Sequence, residues 1–171
     1  MNIAFLGNFA IEKGSEIFKE IVLQSFKKSN LYKFYIFGHI GDIDSYEKIK
    51  NKISIQKSFA YGELPKLLKK YKIKLGVIPS IFPETFCKVF FESIEYCDII
   101  IPYYTFPAFI NPKYPFVVRF KDKKEFVRKS LSLISKKKQN EKRYFGDFFL
   151  RKIDIFKKIN EESLKQFDFL S

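Results

Sequence analysis

The chain has 171 residues, which is enough for one substantial domain and too few for two ordinary ones. Hydrophobic residues make up 46% of it, including 22 Phe and 10 Tyr, and this excludes an intrinsically disordered chain. Lysine and arginine (32) outnumber aspartate and glutamate (19), so the formal net charge is +13. Such an excess indicates either an anionic partner or a general compositional bias toward lysine, and both interpretations stay open.

Several kinds of segment and site are not expected. Charged residues interrupt every apolar run well before about 18 residues, which argues against a membrane-spanning helix. Met1 leads directly into a strand-like segment without the pattern of a secretory signal, so we expect a cytoplasmic protein. Cys87 and Cys97 lie in one predicted helix and at its end, and we expect no disulfide between them. With His39 as the single histidine and no CxxC pair, no zinc site is predicted.

The first half of the chain alternates short apolar segments with amphipathic ones. Four predicted strands end at or near a glycine, a proline or a turn, and they cover residues 2–6, 32–37, 53–55 and 75–78. Three predicted helices have apolar residues at helical spacing, and they cover residues 15–26, 45–50 and 63–71. His39, in the turn after the second strand, is interpreted as an ordinary loop histidine. Asp42 and Asp44 nearby are interpreted as solvated turn carboxylates rather than magnesium ligands.

The second half continues the same alternation. Its predicted elements are a helix over 85–96, a strand over 99–101, an irregular stretch over 103–115, a strand over 116–120 and a helix over 123–134. The wholly apolar run at 99–101 is typical of a strand that is buried on both faces of a parallel sheet. The pattern therefore predicts an α/β fold, a Rossmann-like parallel sheet with helices on both faces. Its ligand crevice should lie at the carboxyl ends of the strands.

We expect this Rossmann-like domain to cover residues 1–135, followed by a different segment over 136–171. The charged run 136–143 is predicted to be an exposed basic connection, and the apolar stripe over 148–167 predicts a C-terminal amphipathic helix. That helix would pack on the domain or on a missing N-terminal half. An alternative that stays open is peripheral contact with an anionic membrane, at its inner surface.

Two carboxylates in the stretch Pro79–Glu92, PSIFPETFCKVFFE, suggest a ligand site. A helix that begins near Thr85 would place Glu84 at its mouth and Glu92 about two turns inside, roughly 12 Å away along the axis. That distance matches a diphosphate with a sugar at one end and a ribose at the other. The unsatisfied N–H groups of the first turn would stabilise the diphosphate. The simpler alternative is a helix-capping Glu84 and a solvent-facing Glu92.

This stretch resembles the E-x7-E signature of the retaining GT-B glycosyltransferases of family 4, also called group 1. The segment Gly7–Gly14, GNFAIEKG, resembles the first loop of their nucleotide-binding half, in which Gly-Arg is followed by Lys-Gly. Residues 61–71, running into 75–80, resemble the helix and strand before the carboxylate signature. The resemblance covers roughly residues 3–102 and implies one half of a GT-B fold, the C-terminal, donor-binding domain.

The resemblance implies transfer of a sugar, with retention, from a nucleoside diphosphate sugar to an unknown acceptor, as in polysaccharide biosynthesis. Lys13 and Glu84 would be catalytic, because Lys13 would offset charge on the leaving diphosphate and Glu84 would bind hydroxyls of the sugar. Glu92 would bind the ribose hydroxyls. The other implied donor-binding residues lie in the adjoining loops: Gly7 and Asn8 near the phosphates, Ser58 and Phe59 near the base, and Thr85, Phe86, Cys87 and Lys88 through their backbone amides. No metal and no cofactor is implied.

The chain departs from the family in two ways. Asn8 stands where the family often has arginine, so one of the two usual phosphate cations is missing. Only the C-terminal half is matched, so the expected partner is an N-terminal GT-B domain, and the chain alone should be inactive. An excised domain of a parent protein is favoured over two open alternatives, a separate N-terminal polypeptide and a protein that has lost transfer activity. A non-catalytic nucleotide- or sugar-binding module stays open as the alternative. A nucleic-acid partner is not expected, because the lysines are dispersed and no recognition motif is present.

Overall fold

The fold is built on parallel strands joined by helices, seen in a computed structural model that describes residues 1–28, 31–60, 62–83, 87–105, 108 and 115–139. The strands in these ranges are β1 Asn2–Leu6, β2 Lys33–Phe37, β3 Ile53–Lys57, β4 Leu75–Val77, β5 Asp98–Pro102 and β6 Val117–Val118. The helices are α1 Ser15–Lys28, α2 Ile43–Glu47, α3 Leu64–Lys70, α4 Lys88–Ser93 and α5 Lys123–Gln139. Short 3-10 turns occupy Ile11–Lys13 and Lys50–Lys52.

The strands form one sheet in the order β3-β2-β1-β4-β5-β6, and every pairing is parallel. The chain first adds β2 and β3 on one side of β1 and then crosses to add β4, β5 and β6 on the other side. This is the Rossmann-like arrangement, so the predicted fold class is confirmed. The strand order reverses between β1 and β4, and a crevice is expected at the carboxyl ends of these two strands.

Alternate side chains of β2 contact helical elements on opposite faces of the sheet. The ring of Phe34 lies 6.0 Å from that of Phe18 in α1. The rings of Tyr35 and Phe37 lie 5.6 and 5.7 Å from Tyr71, directly after α3. Because successive strand residues point to opposite faces, α1 and α3 must cover different sides. The prediction of helices on both faces is therefore confirmed.

Aromatic rings in the core anchor the loop that follows β1. Phe5, in the middle of that strand, is fully buried and makes edge-to-face contacts with Phe9 and Phe18 at centroid distances of 5.0 and 5.3 Å. Each such pair contributes about 0.5 to 1.5 kcal/mol beyond the burial of its surface. Phe9 directly follows the Gly7-Asn8 pair, so core packing holds this loop at the end of the sheet.

The end of α5 corrects one prediction. The helix continues beyond Ile134 and is described as far as Gln139. The charged run from 136 was predicted to be exposed, and this is wrong for Lys137, which is buried and lies 2.6 Å from Asp98 at the start of β5. The sequence pattern missed this pair because its two members are far apart along the chain.

Two other predictions concern the C-terminal part of the chain, and both stay untested. The predicted amphipathic helix over 148–167 lies outside the described residues, and the division at residue 135 stays a prediction. Within the part of the chain that the structure describes, no helix has the length and apolar character needed to cross a membrane.

Candidate functional site

A cavity of about 410 Å³ lies at the carboxyl ends of the central strands. Its lining comes from the ends of β1 to β4 and from the start of α4: Leu6, Gly7, Asn8, Lys13, Gly38, His39, Ser58, Phe59, Ile78, Cys87, Lys88 and Val89. This is the crevice that the strand order predicts. Its volume falls within the range of roughly 300 to 1,000 Å³ that is usual for small-molecule and cofactor sites.

Most of the predicted site residues meet in this cavity. Those that line it are Gly7, Asn8, Lys13, Ser58, Phe59, Cys87 and Lys88. Glu84, Thr85 and Phe86 lie outside the described residues, so the placement of the first signature carboxylate is untested. Glu92 is described and half-buried, but it is not among the lining residues. The roles implied for all of these residues stay predictions.

Backbone hydrogen bonds hold the loops after β1 and β2 side by side. The Gly7 N–H donates to the Phe37 carbonyl at 2.9 Å, and the Phe9 N–H donates to the His39 carbonyl at 2.8 Å. In return, the Gly41 N–H donates to the Phe9 carbonyl at 2.9 Å. The two loops therefore form one wall of the cavity, fixed by main-chain contacts that do not depend on side-chain identity.

Lys13 is positioned by a 3-10 turn that packs on the end of β4. The turn ends at Gly14, which has φ +81°, and a Cβ atom there would lie only 2.1 Å from the Pro79 carbonyl oxygen. The Ile81 N–H donates to the Glu12 carbonyl at 3.2 Å and joins the same two segments. A glycine after Lys13 therefore allows the close approach that brings the lysine to the cavity.

Asp42 ties the loop after β2 to the start of α1, and its predicted solvent exposure is wrong. Its side chain is buried, accepts a hydrogen bond from the Ser15 hydroxyl, and caps α2 by accepting from the Ser45 N–H at 3.0 Å. Burial opposes ionisation of this carboxyl, but the hydrogen bonds from Ser15 and Ser45 outweigh it and hold the pKa of Asp42 below its ordinary value. The carboxylate therefore has a structural role, because it joins the loop after β2 to the first residue of α1.

Helix α4 begins at Lys88, so the predicted start near Thr85 is wrong. Cys87, with φ −95° and ψ 85°, is not helical, and its carbonyl accepts the first helical hydrogen bond from the Phe90 N–H at 3.0 Å. The apolar spacing predicts a helix here, but it does not determine the first residue, because the buried side chain of Cys87 belongs to the preceding loop. The distance of about 12 Å between the two glutamates assumed continuous helix, and this assumption fails.

Glu92 lies on α4 in a partly buried environment. Burial raises the pKa of its carboxyl above the ordinary value, and the positive charge of Lys88 opposes this shift without cancelling it. Ionised Glu92 therefore destabilises the fold relative to its protonated form.

We expect the Glu92→Gln variant to be more stable than the wild type near neutral pH, and to lose that advantage near pH 4. The unfolded chain releases the Glu92 proton at the ordinary pKa and the folded chain releases it only at a higher pH. Between these two pKa values the folded state binds more protons, so wild-type stability falls as the pH rises through that window. Glutamine does not ionise and escapes this loss. Melting temperatures measured across the window test this, with exposed Glu95→Gln as the matched control. A stability difference that does not change with pH would contradict it.

Sequence reasoning missed five lining residues of the cavity, Leu6, Gly38, His39, Ile78 and Val89, of which His39 has the polar side chain. It was interpreted as an ordinary loop histidine, yet it lines the cavity beside Gly7 and Asn8. One feature of the sequence could have identified His39 as a lining residue. His39 follows β2 almost directly, and the carboxyl ends of neighbouring parallel strands meet at the same edge of the sheet.

The cavity has an electrostatic preference for anions. Among its described lining residues, Lys13 and Lys88 are cations and none is an aspartate or a glutamate. A cleft lined by charge of one sign raises the local concentration of oppositely charged ligands. In the described ranges of the chain, no group of three or more His, Cys, Asp or Glu side chains is arranged to hold a metal ion.

Comparison with known proteins shows which solved structures share this fold. No protein-family model matches the sequence, and no curated protein matches it. The C-terminal domain of LpcC, a group 1 glycosyl transferase family protein from Francisella tularensis, is 20% identical, with a TM-score of 0.60 over 78% of this chain and 75% of that one. The pneumococcal O-GlcNAc transferase GtfA, solved with UDP and GlcNAc, is 16% identical, with a TM-score of 0.67 over 95% of this chain and 36% of that one.

A trehalose-6-phosphate synthase, described in work on glycosyl transfer with retention, is 13% identical, with a TM-score of 0.60 over 97% of this chain and 45% of that one. The chain therefore has the fold of the C-terminal domain of GT-B glycosyltransferases, and the predicted likeness to that domain is confirmed. It spans three quarters of an isolated domain of this kind, but less than half of the two longer enzymes. At these identities the likeness establishes the fold.

Proposed function

We propose that this chain is the donor-binding half of a retaining glycosyltransferase that transfers a sugar from a nucleoside diphosphate sugar to an acceptor. The observation that carries the proposal is the cavity lining, in which the first loop, the segment after β3 and the start of α4 meet at the carboxyl ends of parallel strands. We expect each of these three segments to contact the donor. The UDP and GlcNAc bound by GtfA, and the retention described for the synthase, support the same substrate class and stereochemistry.

The diphosphate would lie between the first loop and the start of α4. When the bond between the sugar and the diphosphate breaks, negative charge develops on the leaving phosphate oxygen, and the Lys13 ammonium would stabilise it. Gly7 would let the main chain approach the phosphates, and the backbone amides of residues 86–88 would donate to them. Glu84 would hold hydroxyls of the sugar while the acceptor oxygen forms the new glycosidic bond.

The nucleoside would lie toward the end of β3. Phe59 is half-buried in the cavity lining, and its ring would stack on the base, with Ser58 beside it. Glu92 would accept hydrogen bonds from the ribose hydroxyls.

The acceptor-binding site and further catalytic groups would be supplied by an N-terminal GT-B domain of the parent protein. The chain alone would therefore bind the donor without turnover. We place the parent protein in polysaccharide biosynthesis in the cytoplasm. Residues 148–167 would contact either that domain or the inner surface of an anionic membrane.

We expect the chain to bind a nucleoside diphosphate sugar, and the Lys13→Ala variant to bind it about tenfold more weakly, as is usual for loss of one charge-assisted hydrogen bond. Calorimetric titration with UDP-, GDP- and ADP-sugars measures both quantities and identifies the base. The Lys124→Ala variant, at an exposed position of α5, is the matched control for the change in charge. Absence of binding by all three donors at millimolar concentration would contradict the proposal.

A second function, a non-catalytic nucleotide- or sugar-binding module, is favoured by one observation. Asn8 lines the cavity at the position where the resemblance implies an arginine, so a catalytic cation is absent from that position. A transfer assay on the parent protein with its N-terminal half distinguishes the two functions. Donor binding without product would support the module, whereas a glycosylated product would support the enzyme.

A further inference from the structure

We propose that the side chain of Lys88, at the start of α4, is the second phosphate cation of this cavity, beside Lys13 and opposite the neutral Asn8. The inference rests on the proposed function, because it concerns the diphosphate of the same donor. It assigns Lys88 a role through its ammonium group, in addition to the contact implied for its backbone amide.

The chemistry of the ligand calls for more than one cation. A diphosphate ester carries about two negative charges at neutral pH, and cationic donors in a cleft stabilise them by charge-assisted hydrogen bonds. Of the two first-loop residues expected to contact the phosphates through their side chains, only Lys13 is charged, because Asn8 is neutral. Without another cation, the cavity would offset only about half of the ligand charge.

Lys88 is placed to supply that charge from a different segment. Lys13 belongs to the turn that packs on Pro79, whereas Lys88 is the first residue of α4, and the two residues line one cavity. The preceding residue, Cys87, is 4% exposed and fixes the backbone at the cavity wall, while Lys88 itself is exposed. A cation on a fixed backbone with an exposed side chain can reach a ligand without unfolding any packed element.

A purely local role in pairing with Glu92 explains Lys88 poorly. Glu92 lies one helical turn further along α4, in the spacing at which side chains interact. The order is the weaker one, however, because a glutamate stabilises a helix best when it precedes the lysine. The attraction of Lys88 for Glu92 is also smaller than the effect of burial, since the pKa of Glu92 remains raised. The pair with Glu92 is therefore a weak one.

The test compares the wild type, Lys88→Ala, the rescue variant Asn8→Arg/Lys88→Ala and the control Lys124→Ala in calorimetric titrations with UDP, UMP and uridine. We expect Lys88→Ala to weaken UDP binding about tenfold, UMP binding less and uridine binding hardly at all, because the ammonium acts on the phosphates. Asn8→Arg should restore UDP affinity to within about threefold of the wild type, since it returns a cation to the other wall. Thermal melts verify that each variant is folded.

The possible outcomes separate this inference from the proposed function. If the wild type binds none of the three ligands, the proposed function fails and the inference fails with it. If the wild type binds UDP and Lys88→Ala binds it equally well, the inference alone is overturned. It is also overturned if Lys88→Ala weakens uridine and UDP binding by the same factor, or if Asn8→Arg gives no recovery. Selective loss of UDP binding with recovery by Asn8→Arg supports it.

Discussion

Replacing Lys137 with alanine is expected to lower the free energy of unfolding by about 3 to 5 kcal/mol, the usual cost of removing one partner from a buried ion pair. The Lys137 ammonium lies 2.6 Å from the Asp98 carboxylate, and the two side chains are 2% and 0% exposed. Alanine would leave the carboxylate in the protein interior without this compensating charge, and it would release the last turns of α5 from β5. Urea denaturation measures the loss.

Two controls separate the charge effect from the loss of packing. The Lys136→Ala variant removes an exposed lysine from the preceding position and should change stability by less than about 0.5 kcal/mol. The double variant Asp98→Leu/Lys137→Met should recover most of the stability lost in Lys137→Ala, because an apolar pair avoids the desolvation of both charges. Equal effects at positions 136 and 137 would contradict the interpretation of a buried ion pair.

The Gly38→Ala variant is expected to lose about 2 to 5 kcal/mol of stability together with its nucleotide affinity, because backbone strain and overpacking add. Gly38 has φ +153°, and a Cβ atom there would lie 1.8 Å from the carbonyl oxygen of Gly7. This neighbour is backbone, so no side chain can rotate away, and the loops after β1 and β2 would have to separate. Both loops line the cavity. Urea denaturation and donor titration measure the two losses.

The Gly62→Ala variant is the matched control for this prediction. Gly62 also has a positive φ, +78°, but a Cβ atom there would meet no atom within 4 Å. Its substitution should therefore cost only the backbone strain, on the order of 1 kcal/mol, and leave nucleotide affinity unchanged. Equal losses in the two variants would indicate that the contact with Gly7 contributes nothing.

Local pattern was sufficient for the elements and for the class of fold. The apolar run at Ile99–Ile101 predicts a strand covered on both faces, and β5 is buried along its whole length. The alternation of such strands with amphipathic stretches predicts the parallel sheet, because a crossover helix is needed between parallel neighbours. The first and last residues of the elements were harder to predict from the sequence. The pattern placed the start of α4 near Thr85 rather than at Lys88 and stopped α5 at Ile134, although that helix continues to Gln139.

The cavity was predictable in part. Gly7 and Lys13 were selected from one motif and Lys88 from another, and these residues line one cavity. His39 was missed because it carries no motif and reaches the cavity only through its position after a strand. The roles of Glu84 and Glu92 remain predictions.

The sequence by itself determined the kind of fold and the edge of the sheet at which a ligand site should form. Both follow from short-range periodicity, since each strand or helix must bury its own apolar face. Only the tertiary structure decided that Lys137 is buried against Asp98 and that Gly38 must accommodate the Gly7 carbonyl. These features depend on pairs of residues that lie far apart along the chain, and no local pattern records such pairs.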